Sequence, residues 1–184
     1  DAEREARRLE RDGGFTYISP YNNADVIAGG GTVGLEILDA LPEIERVIVP
    51  VGGGGLISGI AVALKSLKPT IEVLGVNAAA SPDMFNLIYQ TAHPLSHHTL
   101  ADALPGDIEA GSLTIELTRR YVDRIVLVDE DAIAEAMRWM LAEQGWLAEG
   151  GGVVGIAALQ SGAVRADRST AIVVSGGNVG SDVS

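Results

Sequence analysis

The chain has 184 residues, 47% of them hydrophobic, and carries 25 Asp and Glu against 13 Lys and Arg, a formal charge of −12. That is enough apolar material for one compact body, while the acidic balance leaves no basic stripe for nucleic acid or an anionic membrane surface. With no cysteine, disulfide scaffolds, thiolate zinc sites and cysteine nucleophiles are excluded, and the short apolar runs fall far below the roughly 18 residues of a membrane span.

Residues 1 to 11 combine helix formers with mixed charges and run into Gly13-Gly14, a helix with a glycine stop. The opening in mid-helix at Asp1 reads as an internal fragment, and with no secretory leader the expected compartment is the cytoplasm. Phe15 to Ile18 is a short predicted strand, followed by a polar loop around Pro20 to Asn23. Gly29-Gly-Gly-Thr-Val-Gly then reads as a glycine turn feeding a helix that ends before Pro42. Arg46 to Val51 is an apolar, β-branched strand; the four glycines Gly52 to Gly55 lead into a helix from Leu56 to about Leu67, and Ile71 to Val76 is the next strand.

Residues 78 to 112 hold Pro82, Pro94, Pro105 and three histidines, a pattern of one short helix and a long loop in which function is expected. A helix at Leu113 to Tyr121, a strand at Arg124 to Val128 and an amphipathic helix from Glu130 to Gln144 capped by Asp129 continue the alternation. Trp146 to Ala148 is a candidate strand; Gly150-Gly-Gly opens an apolar helix of about a dozen residues, and Ala171 to Val174 is a last buried strand. Short apolar strands alternating with helices predict an α/β fold, a doubly wound parallel sheet with helices on both faces, with no linker dividing residues 1 to 184.

In such sheets ligands collect at the carboxyl ends of strands. Four consecutive glycines expose backbone N–H groups without side chains, and the following helix adds its positive end, so Gly52, Gly53, Gly54, Gly55 and Leu56 form a candidate phosphate nest. The plainer reading is a tight turn with close helix packing. Gly29-Gly-Gly-Thr-Val-Gly matches G-x-G-x-x-G, but the carboxylate a dinucleotide ribose needs about 20 residues later is missing, since Pro50-Val-Gly-Gly stands there. Val173-Val-Ser-Gly-Gly-Asn puts the Ser175 hydroxyl at the last strand exit.

In this order, these segments resemble the fold-type II pyridoxal-phosphate enzymes, in particular the serine/threonine dehydratase and serine racemase branch. Gly29-Gly-Gly-Thr is similar to a glycine-glutamine-glycine-threonine segment, with Gly30 in place of the glutamine. Gly52 to Gly55 is similar to the phosphate cradle, Thr99-Leu-Ala-Asp to a threonine-isoleucine-alanine-aspartate loop, Glu149-Gly-Gly-Gly to a glutamate-proline-serine-glycine segment, and Ser175-Gly-Gly-Asn to the ring-nitrogen motif. The resemblance implies the large-domain portion of such an enzyme with pyridoxal 5'-phosphate as cofactor. Gly52 to Leu56 would hold the phosphate, Ser175 with Gly176 the pyridine nitrogen, and Glu149 would lie near the ring.

A neutral serine does not force protonation of the ring nitrogen, which suits elimination of a β-hydroxyl more than transamination. The implied reaction removes the α-proton and water from a hydroxy-amino acid such as threonine or serine, releasing an enamine that hydrolyses to a keto acid and ammonia. The family's Schiff-base lysine lies in a serine-x-lysine motif of an amino-terminal portion that also carries the small domain. No such motif stands here, so no catalytic residue is assigned in this chain, which is expected to be inactive alone and a homodimer when complete.

Lys65 and Lys68 are read as solvated surface charges. Relatives that bind a cation use a glutamate where Asn77 stands, leaving Asp83 as a possible ligand of a weaker site. His93, His97 and His98 are read as lining the cleft or exposed, not as zinc ligands, and the Met137, Trp139, Met140 and Trp146 stripe as core. Two other readings stand beside the lyase: a non-catalytic phosphate- or small-molecule-binding module or degenerate relative, and a nicotinamide-dependent oxidoreductase.

Overall fold

The computed structural model describes residues 2–96 and 98–179. Four parallel strands, β1 (Arg46–Pro50), β2 (Glu72–Ala78), β3 (Arg124–Val128) and β4 (Thr170–Ile172), form one sheet in the order β3-β2-β1-β4. The strand order therefore reverses beside β1: the chain moves outward through β2 and β3, then returns to its other side for β4. Crevices at such reversals collect ligands at the carboxyl ends of the strands.

Alternation along the strands sorts the core into two layers. Ile48, Leu74 and Val76 join a cluster with Ile133, Ala136 and Met140 of α6 (Glu130–Gln144) and Val153, Val154 and Ala157 of α7 (Gly150–Gln160). Val47, Val49, Val51 and Val73 point the other way, onto Ile57, Ile60, Ala61 and Leu64 of α3 (Gly55–Leu67). A side-chain period of two requires this split when both faces of a parallel sheet are covered. The doubly covered α/β sheet expected from the sequence is the observed fold.

The remaining helices are α1 (Ala2–Gly13), α2 (Ala24–Ala40), α4 (Asp83–Tyr89) and α5 (Leu113–Tyr121). Their ends follow local chemistry. Asp129 accepts from the Ala132 N–H at the start of α6, Gly145 closes that helix in the left-handed region at φ 69°, and Ser112 caps α5 through the Thr114 N–H.

Three expectations are corrected. Phe15 to Ile18 forms no strand: Phe15 and Ile18 are 65% and 62% exposed, and among the described residues no strand lies beside the segment to take its hydrogen bonds. Trp146 to Ala148 likewise forms no strand, and Trp139 and Trp146, both expected in the core stripe, are 38% and 66% exposed. Gly29-Gly-Gly is no turn at all. It lies inside α2, whose true start is Asn23, the side chain of which accepts from the N–H groups of Asp25 and Val26.

The glycines of α2 serve a helix crossing. A Cβ on Gly31 would stand 3.1 Å from the Gly59 carbonyl oxygen, and one on Gly59 would stand 2.0 Å from the Ile27 carbonyl oxygen. The two backbones approach so closely that side chains at these points have no room. The G-x-G-x-x-G match is thus a packing feature, which removes the basis of the nicotinamide reading.

The amino-terminal end of the sheet is closed by charge. Buried Arg46 donates through Nε to Glu72 at 2.7 Å and through Nη1 to the Arg165 carbonyl at 2.6 Å. Lys65 and Lys68, expected as solvated charges, are bonded instead: Lys65 Nζ to the Ile71 carbonyl and Asp123, Lys68 Nζ to the carbonyls of Pro42 and Ile44. Each covers main-chain oxygens near the end of α3, where the negative end of the helix dipole favours a cation.

Candidate functional site

At the opposite end of the sheet a cavity of about 960 Å³ opens, large enough for a small molecule with its cofactor. Its floor is the glycine run. β1 enters at Pro50, Gly52 to Gly55 curve past the strand end, and Leu56 continues α3. Gly54 adopts φ 85°, a left-handed conformation that costs a side chain strain, and it starts α3 without a side-chain cap. Among the described residues, no acceptor is bonded to the N–H groups of Gly52, Gly53 and Gly54. Bare amides ahead of a helix start favour an anion.

Every glycine of the run is required by its surroundings. A Cβ would meet the Leu104 carbonyl oxygen at 2.8 Å from Gly52, the Tyr21 ring at 2.5 Å from Gly53, Met84 Cε at 2.5 Å from Gly54 and Tyr21 Cα at 2.8 Å from Gly55. Tyr21 and Leu104, which also line the cavity, and Met84 therefore pack against the run. Tyr21 is held in turn: its hydroxyl accepts from the Glu109 N–H at 3.1 Å and lies 3.4 Å from the Asp107 carbonyl. Burial first, and the charge of Glu3 second, push its phenol above the ordinary value, so it stays protonated at neutral pH.

Ser175 lines the same cavity. β4 pairs with β1 through Ile48 and Ile172, and the Val173 N–H donates to the Ile48 carbonyl at 2.9 Å. The last strand therefore runs alongside β1 toward the cavity end of the sheet and leads the chain to Ser175. The glycine run and Ser175, read from separate stretches of sequence, thus line one chamber.

The other expected site residues sit differently. Glu149 precedes α7 and is half-buried; its carboxylate accepts from the Asn178 N–H at 3.2 Å, and its main-chain N–H donates to the Gly176 carbonyl at 3.2 Å. It fastens the segment after Ser175 and does not line the cavity. Gly176 has no room for a side chain because the Glu149 carboxylate lies against it. Gly150 and Gly152 admit the backbone of Leu100 and of Gly176.

Thr99 and the Leu100 N–H both bond Glu130, at 2.6 and 2.7 Å, which anchors the loop beneath Leu104. Asn77 is buried, and both ends of its amide are occupied, Nδ2 on the Val51 carbonyl at 2.7 Å and Oδ1 by the Phe85 N–H at 3.1 Å. Asp83 lines the cavity and takes the Ser81 hydroxyl at 2.7 Å. His93 and His98 are exposed, the His93 ring lying edge-on to Phe85, while His97 lies outside the described residues. No lysine lines the cavity among the described residues.

The sequence reading missed Tyr21, Leu104, Met84 and Thr114, which pack against the glycine run. A tyrosine between Pro20 and Asn23 carries no motif, and only the fold brings it to the glycines.

The arrangement matches known proteins. A chain from Thermotoga maritima described as L-threonine ammonia-lyase is 42% identical over 176 residues, covering 95% of this chain and 44% of its own length. The catabolic L-threonine dehydratase of Escherichia coli strain K12 is 42% identical over 171 residues, 90% of this chain and 52% of that one. The structure of maize serine racemase superposes with a TM-score of 0.87 at 34% identity, covering 98% of this chain and 57% of that one. The chain thus spans about half the length of the relatives it matches. The family model described as pyridoxal-phosphate dependent enzyme matches residues 1–176, and the chain belongs to that family.

Proposed function

We propose that this chain is the carboxyl-terminal portion of the cofactor-binding large domain of a lyase that eliminates water from a hydroxy-amino acid such as threonine or serine, yielding a keto acid and ammonia. The observation that carries the reading is that Ser175 lines the same cavity as Gly52 to Gly54, whose amides have no acceptor among the described residues.

The residues fit pyridoxal 5'-phosphate. The glycine amides and the amino end of α3 would hold its phosphate, an anion that bare N–H groups bind without a lysine or arginine. Tyr21 and Leu104, packed against the run, fix its curve. The Ser175 hydroxyl would meet the pyridine nitrogen and, being neutral, exchanges a hydrogen bond there without imposing a charge. Glu149 positions Ser175 indirectly, through the Gly176 to Asn178 backbone. When bound, the cofactor supplies the electron sink that makes an α-proton of an amino acid removable. The reactive amine comes from outside residues 1 to 184, since Lys65 and Lys68 are bonded at the far end of the sheet.

Titration of the purified chain with pyridoxal 5'-phosphate, pyridoxal and inorganic phosphate tests the site. Pyridoxal phosphate is expected to bind at least tenfold more tightly than pyridoxal, the phosphate contributing charge-assisted bonds of about 1.5–3 kcal/mol each. Ser175→Ala should loosen both pyridines about fivefold, as loss of one hydrogen bond of about 1 kcal/mol predicts, and leave inorganic phosphate alone. Equal affinity for the two pyridines would end the reading. The reaction is tested by joining the chain to the amino-terminal part its relatives possess and assaying keto acid from threonine and from serine; a chain that binds the cofactor but turns over neither would favour a non-catalytic binding module.

A further inference from the structure

We propose that Asn77 is the positioning residue of the phosphate nest, an inference that rests on the cofactor reading above. A run of four glycines has no side chains to anchor it and a wide choice of backbone angles, so its amides converge on an anion only if both ends are fixed. The far end is fixed by α3. At the near end the last residue with a side chain is Val51, and both of its main-chain groups are tied. Its N–H donates to the Val76 carbonyl at 2.9 Å, and its carbonyl accepts from Asn77 Nδ2 at 2.7 Å.

The same side chain reaches the nest by a second route. α4 begins at Pro82, which supplies no side-chain cap, and one of its orphan donors, the Phe85 N–H, is taken by Asn77 Oδ1 at 3.1 Å. Met84, beside Phe85 and fully buried, fills the space where a side chain on Gly54 would lie. One amide therefore holds the strand exit before the run and the helix that presses on its left-handed residue. Asn77 is 1% exposed, and an amide is the side chain that offers a donor to a carbonyl and an acceptor to an N–H at once. An aspartate keeps the acceptor for Phe85 and turns an oxygen toward the Val51 carbonyl, where two acceptors repel.

The test uses the full chain and three probes: pyridoxal 5'-phosphate, pyridoxal and inorganic phosphate. N77D is expected to lose at least tenfold in affinity for the two phosphate-bearing probes while pyridoxal changes less than twofold. The core variant Ile133→Val, in the layer on the other face of the sheet, should lower stability and leave the ratio of the two pyridine affinities at the wild-type value. If N77D does not fold, Asn77→Ser replaces it, since a hydroxyl reaches only one of the two partners; a phosphate-selective loss of two- to tenfold supports the assignment. A variant whose affinities for pyridoxal and pyridoxal phosphate fall together, or which binds phosphate like wild type, overturns it. Should the wild-type chain itself show no preference for the phosphorylated probe, the cofactor reading falls first and this inference with it.

Discussion

Two glycine clusters in this chain look alike in sequence and do opposite work. Gly30, Gly31 and Gly34 face α3 and let two helices touch backbone to backbone. Gly52 to Gly55 leave the end of a strand and line a cavity, and among the described residues the amides of Gly52 to Gly54 have no acceptor. In the first cluster what matters is the missing volume; in the second it is the exposed main chain. A G-x-G-x-x-G pattern belongs to the packing cluster and a plain run of four to the one that lines the cavity, so the motif points away from the proposed site. What separates them is the element before: α2 is already helical when its glycines arrive, whereas Gly52 follows a buried parallel strand.

The sharpest way to break that division is Gly59→Ala. Its Cβ would stand 2.0 Å from the Ile27 carbonyl oxygen and 2.6 Å from the Gly31 nitrogen, both main-chain atoms that cannot rotate away. Overpacking of this kind costs about 3 kcal/mol, a large part of the 5–15 kcal/mol that holds a typical domain folded. Urea unfolding should show that loss, and the fraction that remains folded should bind pyridoxal 5'-phosphate as wild type does. Near-wild-type stability would mean the crossing is looser than the structure shows.

Gly53→Ala should fail in the other way. The obstacle is the Tyr21 ring, whose Cγ would stand at 2.5 Å, a side chain on a loop and not the main chain of a packed helix. Swinging it breaks the Tyr21 bond to the Glu109 N–H and reshapes the run. Affinity for pyridoxal phosphate should fall at least tenfold with only a modest change in the unfolding midpoint. If stability collapsed while the folded fraction bound normally, the two clusters would be of one kind.

Much of this was legible in advance, and the gaps have physical causes. Strands β1, β2 and β3 are continuous apolar runs because both faces of the sheet are covered, and helices α5 and α6 announce themselves by Ser112 and Asp129 caps. Phe15 to Ile18 has the composition of a strand and lacks a partner, a fact of assembly that no local pattern contains. The start of α2 was written in Asn23, a capping residue followed by Ala24-Asp25-Val26-Ile27, but the glycines downstream drew the reading toward a turn. The site itself was half visible: the nest and Ser175 carry motifs, while the residues that shape the nest, Tyr21, Leu104 and Asn77, are brought there only by the fold.

The smallest effect sharpens the contrast within a single tripeptide. Gly29 lies on the solvent side of α2, and a Cβ there would meet no atom within 4 Å, while Gly31, two residues on, faces the Gly59 carbonyl oxygen at 3.1 Å. Position 29 therefore carries the entropic cost of glycine in a helix without using its lack of volume. Gly29→Ala should stabilise the chain by about 0.5–1 kcal/mol, the helix-propensity difference, with cofactor affinity unchanged. The same change at Gly31 should destabilise, because the carbonyl beneath it belongs to α3 and can yield only if the helices part. If both substitutions stabilised, the close crossing would not be what retains these glycines, and the segment would have to be reconsidered as a turn or a ligand contact.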